Sequence, residues 1–358
     1  MRFAFTEEQA MIAETAKAFF AENATSERTR AAMAKTGVDD ALWGAFTQEL
    51  GLAGVAVSES FGGVGLGMVE LAILAEEAGR NTATLPFLSS LGLAASAIQA
   101  GGSEAQKQRW LPKLASGELI ASFAIANAED TPGATLGDGM LTGAALHVPH
   151  GARADLYVVA AHNGVAIVER SAPGLSVTPL TTMDQTRPYA RLDFGGVAAE
   201  ALADGDAGLK AALSAGCLMI AADSLGGAQA CLERTVAYAQ ERVQFGRVIG
   251  SFQAVKHRLA DMMVEIEQSR SAVYWAACAM DEGSDEAAMA VHAAKAFACD
   301  TYQKCAGEMI QLHGGIGFTW EHDAHLYFKR ARSNASLLGT PDWHREEVAK
   351  LTGLDEAA

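Results

Sequence analysis

The apolar positions along the chain change period twice. From Thr6 to about Gly117 they recur at helical spacing, and Thr6-Glu7-Glu8-Gln9 has the form of a capping box, opening an amphipathic run through Phe20. Gly51, the cluster Phe61-Gly62-Gly63-Val64-Gly65 and Gly101-Gly102 interrupt this third, so it reads as several helices, the last closing near Leu111-Pro112. Between about Leu119 and Asp206, short apolar runs such as Ala154-Asp155-Leu156-Tyr157-Val158-Val159 and Gly164-Val165-Ala166-Ile167-Val168 alternate with Gly, Pro and polar clusters and predict strands. Five of the eight prolines (Pro132, Pro149, Pro173, Pro179, Pro188) fall there, which argues against continuing helix. From about Gly208 helical patterning returns: Val291, Ala294, Ala298, Cys305, Met309 and Leu312 step by three, four or seven, one face of a helix.

The expected fold is α+β: an N-terminal α-helical bundle over 1–118, a middle β-domain over 119–207 and a C-terminal bundle of four-helix type over 208–358. With no βαβ alternation and no G-x-G-x-x-G after a strand, a Rossmann-type dinucleotide fold is disfavoured. Half the residues are apolar and 20% charged, as in a packed globular protein. A net charge of −16 works against nucleic acid or anionic lipid as partner, yet leaves room for a small anion held by a few local side chains and backbone N–H groups. Five cysteines without a C-x-x-C pair read as free thiols in a reducing compartment, with no metal site. Met1 to Ala10 lacks an apolar leader and no run approaches bilayer length, so the expectation is a cytoplasmic protein without a membrane span.

Two segments carry candidate chemistry. Arg242-Val243-Gln244-Phe245-Gly246, followed by Ile249-Gly250-Ser251-Phe252-Gln253, sits between two helices; a guanidinium chelates phosphate oxygens and a neighbouring aromatic covers an adenosine or ribitol segment. Gln311-Leu312-His313-Gly314-Gly315-Ile316-Gly317-Phe318 ends a helix in a glycine loop that lets a ligand approach the backbone, and Gln311 offers both donor and acceptor. Taken singly, each is equally well a helix end with a glycine cap.

Together, at this separation and in this α-β-α order, they resemble the acyl-CoA dehydrogenase family over nearly the whole chain. Phe5-Thr6-Glu7-Glu8-Gln9, the segment Leu50-Gly51-Leu52 through Phe61-Gly62-Gly63, and Gly102-Ser103-Glu104 through Leu111-Pro112 to Gly117-Glu118 add to the likeness. The resemblance implies FAD as cofactor, an acyl-CoA thioester as substrate, an electron-acceptor flavoprotein as partner and a tetramer. It also implies α,β-desaturation, in which a base removes the α-proton while hydride passes from the β-carbon to flavin N5. Two subunits of the family share each flavin: the β-domain of one holds the isoalloxazine ring, and the Arg-x-x-Phe-Gly and Gln-x-x-Gly-Gly loops of its neighbour hold the ADP portion. Arg242, Gln244, Phe245, Phe252, Gln253, Gln311, Gly314 and Gly315 match that second role.

The family's base is a glutamate in a Glu-Gly-Thr turn, twenty residues beyond the Gly-Gly-x-Gly-Phe loop; the ungapped count from Phe318 reaches Leu338, followed by Gly339-Thr340. The alternative position, 26 residues before the flavin-binding arginine, is Gly216. Neither side chain abstracts a proton, so the expected catalytic set of this chain is empty. In the β-domain, Ala126-Asn127 stand where the family has Thr-Glu, and His147-Val148-Pro149 where it has Trp-Ile-Thr facing the flavin. Loss of the base and of ring contacts beside intact ADP-holding loops resembles the base-lacking subunit of bacterial α2β2 acyl-CoA dehydrogenases that act on bulky thioesters such as sterol side chains. The ending Leu337 to Arg345 and the turn Met183-Asp184-Gln185-Thr186-Arg187 share that likeness.

Three readings stand side by side: a subunit completed by a homologous catalytic chain, a self-associating dehydrogenase with a displaced base, and a non-redox structural or regulatory relative. For Glu321 and Asp342 a cap or surface salt bridge is expected, and for His313 and His322 a packing role. Tyr327, Lys329, Arg330 and Arg332 form an aromatic and basic strip expected to face a partner.

Overall fold

Helix α1 (Glu7–Asn23) begins where the capping box predicts. The Thr6 hydroxyl accepts from the Gln9 N–H at 3.2 Å, and the Gln9 carboxamide oxygen accepts from the Thr6 N–H at 3.0 Å, satisfying two donors that a helix start leaves open. Residues 5–125 and 132–354 are described in this computed structural model. Helices α2 (Ser26–Met33), α3 (Asp40–Gly44), α4 (Met68–Arg80), α5 (Ser96–Gly101) and α6 (Glu104–Ala115) follow, with π-helical stretches at Ala45–Glu49 and Leu88–Ala95. The expected stop near Leu111-Pro112 is corrected: α6 runs on to Ala115, because a proline in the last turn withholds only one donor while its own carbonyl still accepts from Ser116.

Eight strands come next: β1 (Ala121–Ala124), β2 (Ala134–Gly137), β3 (Met140–Pro149), β4 (Leu156–Ala161), β5 (Gly164–Glu169), β6 (Leu175–Leu180), β7 (Tyr189–Ala198) and β8 (Glu200–Ala201). Among the described residues they form two four-stranded sheets, ordered β1-β4-β5-β8 and β2-β3-β7-β6, in which only β1 and β4 pair in parallel. Leu141, Val148, Tyr157, Val159, Leu192 and Val197 meet in one core. Strand β4 is buried along its whole length, which is why its sequence is an unbroken apolar run rather than an alternating one.

Helix α7 (Gly205–Glu241), a hairpin of β9 (Val243–Gln244) and β10 (Arg247–Val248), and helices α8 (Gln253–Asp281), α9 (Ala287–His313), α10 (Ala324–Ser336) and α11 (Pro341–Leu351) follow among the described residues. The apolar stripe read along α9 is its inner face: Val291, Ala294, Ala298, Cys305 and Met309 are buried and Leu312 half-buried. One length expectation is corrected. Helix α7 spans 37 residues and contains an 18-residue window of mean hydropathy 1.4, long and apolar enough to cross a bilayer by those measures; 83% of that window is buried inside the protein, so its apolar side chains serve the core. The chain divides into two compact units, one of Met1–Ser26, Ala72–Ala83 and Ile220–Ala358, the other of Glu27–Leu71 and Thr84–Met219.

Candidate functional site

The eight residues singled out in the sequence lie on two loops of the first unit and the helix ends that flank them, Gln253 opening α8 and Gln311 in the last turn of α9. At the end of α7 the Arg242 N–H still donates to the Tyr238 carbonyl, at 2.9 Å, and the chain then turns back on itself through β9 and β10, with Gln244 opposite Arg247 and Val243 opposite Val248. Only Phe245 and Gly246 join the two strands. Both have positive φ, 53° and 78°, the conformation a two-residue hairpin needs to match the twist of its strands. The Ile249 N–H closes the base of the hairpin on the Arg242 carbonyl at 2.8 Å.

This geometry concentrates two costs on Phe245. A left-handed backbone disfavours a residue with a Cβ by roughly 1–2 kcal/mol, and at 93% exposure the ring forgoes the roughly 1.5–3 kcal/mol that its burial contributes. Nearby, the Arg247 guanidinium lies 4.0 Å over the Phe252 ring, and Phe245 meets Phe252 edge-on at 6.3 Å. Arg247 was not among the residues read from the sequence; its signal was a second cation bracketing the turn. Arg242, Gln253 and Gln311 are exposed, with no side-chain hydrogen bond or ion pair among the described residues, whereas the Gln244 amide donates to the Val243 carbonyl at 2.8 Å.

The second loop starts as α9 ends at His313. Gly314 takes φ 61°, and a Cβ built on Gly314 or Gly315 would meet nothing within 4 Å; one on Gly317 would lie 2.9 Å from the Ile310 carbonyl oxygen. The first two glycines therefore leave open space, and the third permits close packing. Tyr238, also missed from sequence, ties the loops together: its ring stacks on His313 at 4.3 Å and its hydroxyl donates to the His313 carbonyl at 3.3 Å. His313 is the packing residue expected. Its Nδ1 lies 2.7 Å from the Met309 carbonyl and so carries the hydrogen, and burial pushes its pKa down. His322 Nδ1 accepts from the Ala324 N–H. Ile316, Phe318 and Trp320 are exposed.

The turn that carries the counted base position is built differently. Leu338 has φ 58° but is buried, at 1% exposure. Its carbonyl lies 3.1 Å from His344 Nε2, while the Lys295 ammonium, fully buried, donates to the carbonyls of Asn334 at 2.9 Å and Gly339 at 2.8 Å. A carbonyl only accepts, so His344 Nε2 carries a hydrogen; Nδ1 of the neutral ring is then the acceptor, and His292 Nδ1, 2.7 Å away, is its donor. Burial, then Lys295, then His292 push the His344 pKa down to about 3. Behind the turn, Asn334 donates to Asp223 at 2.6 Å and Ser224 at 2.9 Å, and Arg330 pairs with Asp223 at 2.9 Å. No carboxylate stands at position 338, and Gly216 is a buried residue of α7.

The other ionisable candidates resolve in part. Asp342 is 96% exposed and pairs with Arg345 at 2.8 Å, the surface bridge expected, and Glu321 is exposed. The strip on α10 is corrected. Tyr327 and Arg330, three residues apart, face inward, Tyr327 donating to the Arg80 carbonyl at 2.9 Å, whereas Lys329 covers the Trp320 ring and Arg332 binds Gln303. In the β-domain, Leu146 and His147 bulge from β3 between the pairs Ala145–Leu192 and Val148–Ala190; His147 has φ 55° and Pro149 pairs with Tyr189. Ala126-Asn127 lie outside the described residues.

Open glycine faces, unpaired amide and guanidinium donors and an exposed ring at a turn fit the charge and flat base of a dinucleotide. Comparison with known proteins agrees. Residues 6–118 match the family described as acyl-CoA dehydrogenase, N-terminal domain, and residues 204–352 acyl-CoA dehydrogenase, C-terminal domain. Acyl-CoA dehydrogenase IpdE2 of Mycolicibacterium smegmatis is 34% identical over 97% of this chain and 98% of its own length, and IpdE2 of Mycobacterium tuberculosis 36% identical over 96% of each. Among solved structures, a variant of the Tcur3481-Tcur3483 steroid ACAD superposes with TM-score 0.90 at 32% identity, covering 98% of this chain and 99% of that one. The ChsE4-ChsE5 complex from Mycobacterium tuberculosis gives TM-score 0.91 at 29% identity, covering 100% of each chain. The chain belongs to the acyl-CoA dehydrogenase family, and its cofactor is FAD.

Proposed function

We propose that this chain is the base-free subunit of a heteromeric, FAD-dependent acyl-CoA dehydrogenase, in which it grips the ADP portion of the flavin while a homologous partner contributes the ring-binding β-domain and the catalytic carboxylate. The observation that carries this reading is the contrast between Phe245, exposed at a strained turn among donors with no partner of their own, and Leu338, buried where the family's base would stand. In this reading Arg242 binds the pyrophosphate, Phe245 and Phe252 cover the adenosine or ribitol segment, and Gln244, Gln253 and Gln311 bond its polar edges. Gly314 and Gly315 admit it to the backbone. Arg247 holds Phe252 in place through its cation–π contact.

Bound FAD supplies the hydride acceptor for α,β-desaturation of an acyl-CoA thioester; this chain's residues hold the cofactor's tail and move no proton. An electron-acceptor flavoprotein then takes the electrons onward. The similarity to a steroid ACAD and to a complex of two unlike chains supports a bulky, steroid-type acyl group as substrate. The test is to purify the chain alone and after co-expression with a homologous subunit that retains the glutamate, and to record the visible flavin spectrum of each. Flavin is expected only in the two-chain complex, where acyl-CoA bleaches it. A flavin-loaded homo-oligomer bleached by acyl-CoA defeats the proposal, and flavin-free complexes throughout favour a non-redox role.

A further inference from the structure

A cleft of about 310 Å³ opens within the second compact unit, between the segment that follows α2 and the end of β6 with the turn beyond it. Gly37 fixes one wall. Its φ is 72°, and a Cβ there would lie 2.9 Å from the Pro188 ring and 3.0 Å from the Gln185 carbonyl oxygen, so the two segments approach more closely than a side chain permits. The turn Met183-Asp184-Gln185-Thr186-Arg187 is fastened from within: Asp184 Oδ1 accepts from the Thr186 N–H at 2.9 Å and from its hydroxyl at 2.5 Å, and the Thr182 hydroxyl donates to the Asp184 carbonyl at 3.0 Å. Asp184 and Thr186 are buried, and Gln185 is left exposed on the cleft.

The charge of the lining runs against that of the chain. Acidic residues outnumber basic ones 43 to 27 overall, yet Lys35 and Arg153 line the cleft and, among the described residues, no carboxylate does. Arg153 leans on Asp40 at 2.9 Å. The side chains of Lys35, Thr181 and Gln185 have no hydrogen-bond partner among the described residues, and Met33, Leu180, Pro188 and Tyr189 supply apolar surface. A rigid wall, uncommitted donors, a cationic pair and an apolar floor are the parts of a small-ligand site, at the small end of the usual range of roughly 300–1,000 Å³.

We propose that this cleft binds a small organic anion, a carboxylate or phosphate ester on a compact apolar body, with Lys35 taking the charge beside Arg153 and with Thr181 and Gln185 completing its hydrogen bonds. The inference is independent of the flavin assignment, since the two sets of residues lie in different units.

Isothermal titration of the full chain with benzoate, phenyl phosphate and benzyl alcohol compares two anions and a neutral group on one ring. At least one anion binds in the millimolar range or tighter and the alcohol does not; the tighter anion identifies the charge chemistry. Lys35→Glu, at an exposed position, lowers that affinity by about tenfold or more, as loss of a charge-assisted bond requires. Arg153→Gln weakens it less, and Arg242→Ala leaves it unchanged. Absence of binding by both anions, equal binding of the alcohol, indifference to Lys35→Glu, or an equal loss with Arg242→Ala would each overturn the proposal.

Discussion

Two turns of the first unit, Phe245-Gly246 and Leu338-Gly339, bend the backbone alike: a large apolar residue at φ 53° or 58°, then a glycine at 78° or 104°. Their surroundings are opposite. Around Phe245 water touches almost every atom, a Cβ on Gly246 would meet nothing, and nearby donors are uncommitted. Around Leu338 a buried ammonium and a neutral imidazole hold three carbonyls, and a Cβ on Gly339 would lie 2.6 Å from the Trp343 ring. Equal strain thus has different upkeep. The buried turn is held by contacts the fold supplies; the exposed one is held by its hairpin bonds and the edge of Phe252, and in the proposed role a bound ligand offsets its strain.

Changing each turn in isolation breaks this contrast, and the largest effect belongs to the buried one. Lys295→Met removes the donor to the Asn334 and Gly339 carbonyls; Asn334 keeps the Cys299 thiol at 3.6 Å, so the Gly339 carbonyl is the one left unsatisfied, and urea unfolding should show a loss of about 1–3 kcal/mol. Stability as unperturbed as that of a surface variant would mean the turn supports itself. Arg242→Ala is the counterpart at the open turn: FAD retention should fall by about tenfold or more while the unfolding midpoint stays put, because Arg242 has no partner within the described residues to lose. Equal retention by wild type and variant returns the loop to a mere helix end.

A pH series sharpens the difference. Since the folded pKa of His344 is depressed from 6.5 to about 3, the fold favours the neutral ring; its contribution is complete above pH 6.5 and is lost as the pH falls toward 3, when the unfolded chain takes up the proton. The slope is at most about 1.4 kcal/mol per pH unit. Unfolding free energies measured in that window should flatten in His344→Gln, and an unaltered slope would assign the effect to other groups. The smallest change is expected for Phe245→Asn. Asparagine tolerates the left-handed backbone, so stability should hold within about 0.5 kcal/mol or rise slightly while flavin retention drops; a large destabilisation would show that the exposed ring packs in a way its surface hides.

What could be read in the sequence was local. The Thr6 cap, the strand runs of β4 and β5 and the inner face of α9 are each decided by residues within a few positions of one another. The glycine loop at the end of α9 was also legible, because paired glycines mark a helix end; the hairpin at Phe245-Gly246 was not, since phenylalanine does not announce the positive φ it takes there. The support of position 338 was not: Lys295 reaches Gly339 across 44 residues, and no pattern near either announces the other. Arg330 misled for a similar reason, since its partner Asp223 lies 107 residues away on α7 and converts an apparent surface charge into a buried one. The length of α7 was hidden by Asp223 at its middle, which interrupts the apolar run without ending the helix.

The exposed rings bear on how the isolated polypeptide behaves in a tube. Phe245, Phe318 and Trp320 each offer more than half of their surface to water, and apolar surface of that kind lowers solubility unless something shields it. Sedimentation of the lone chain should therefore depend on concentration, with self-association growing as the sample is concentrated.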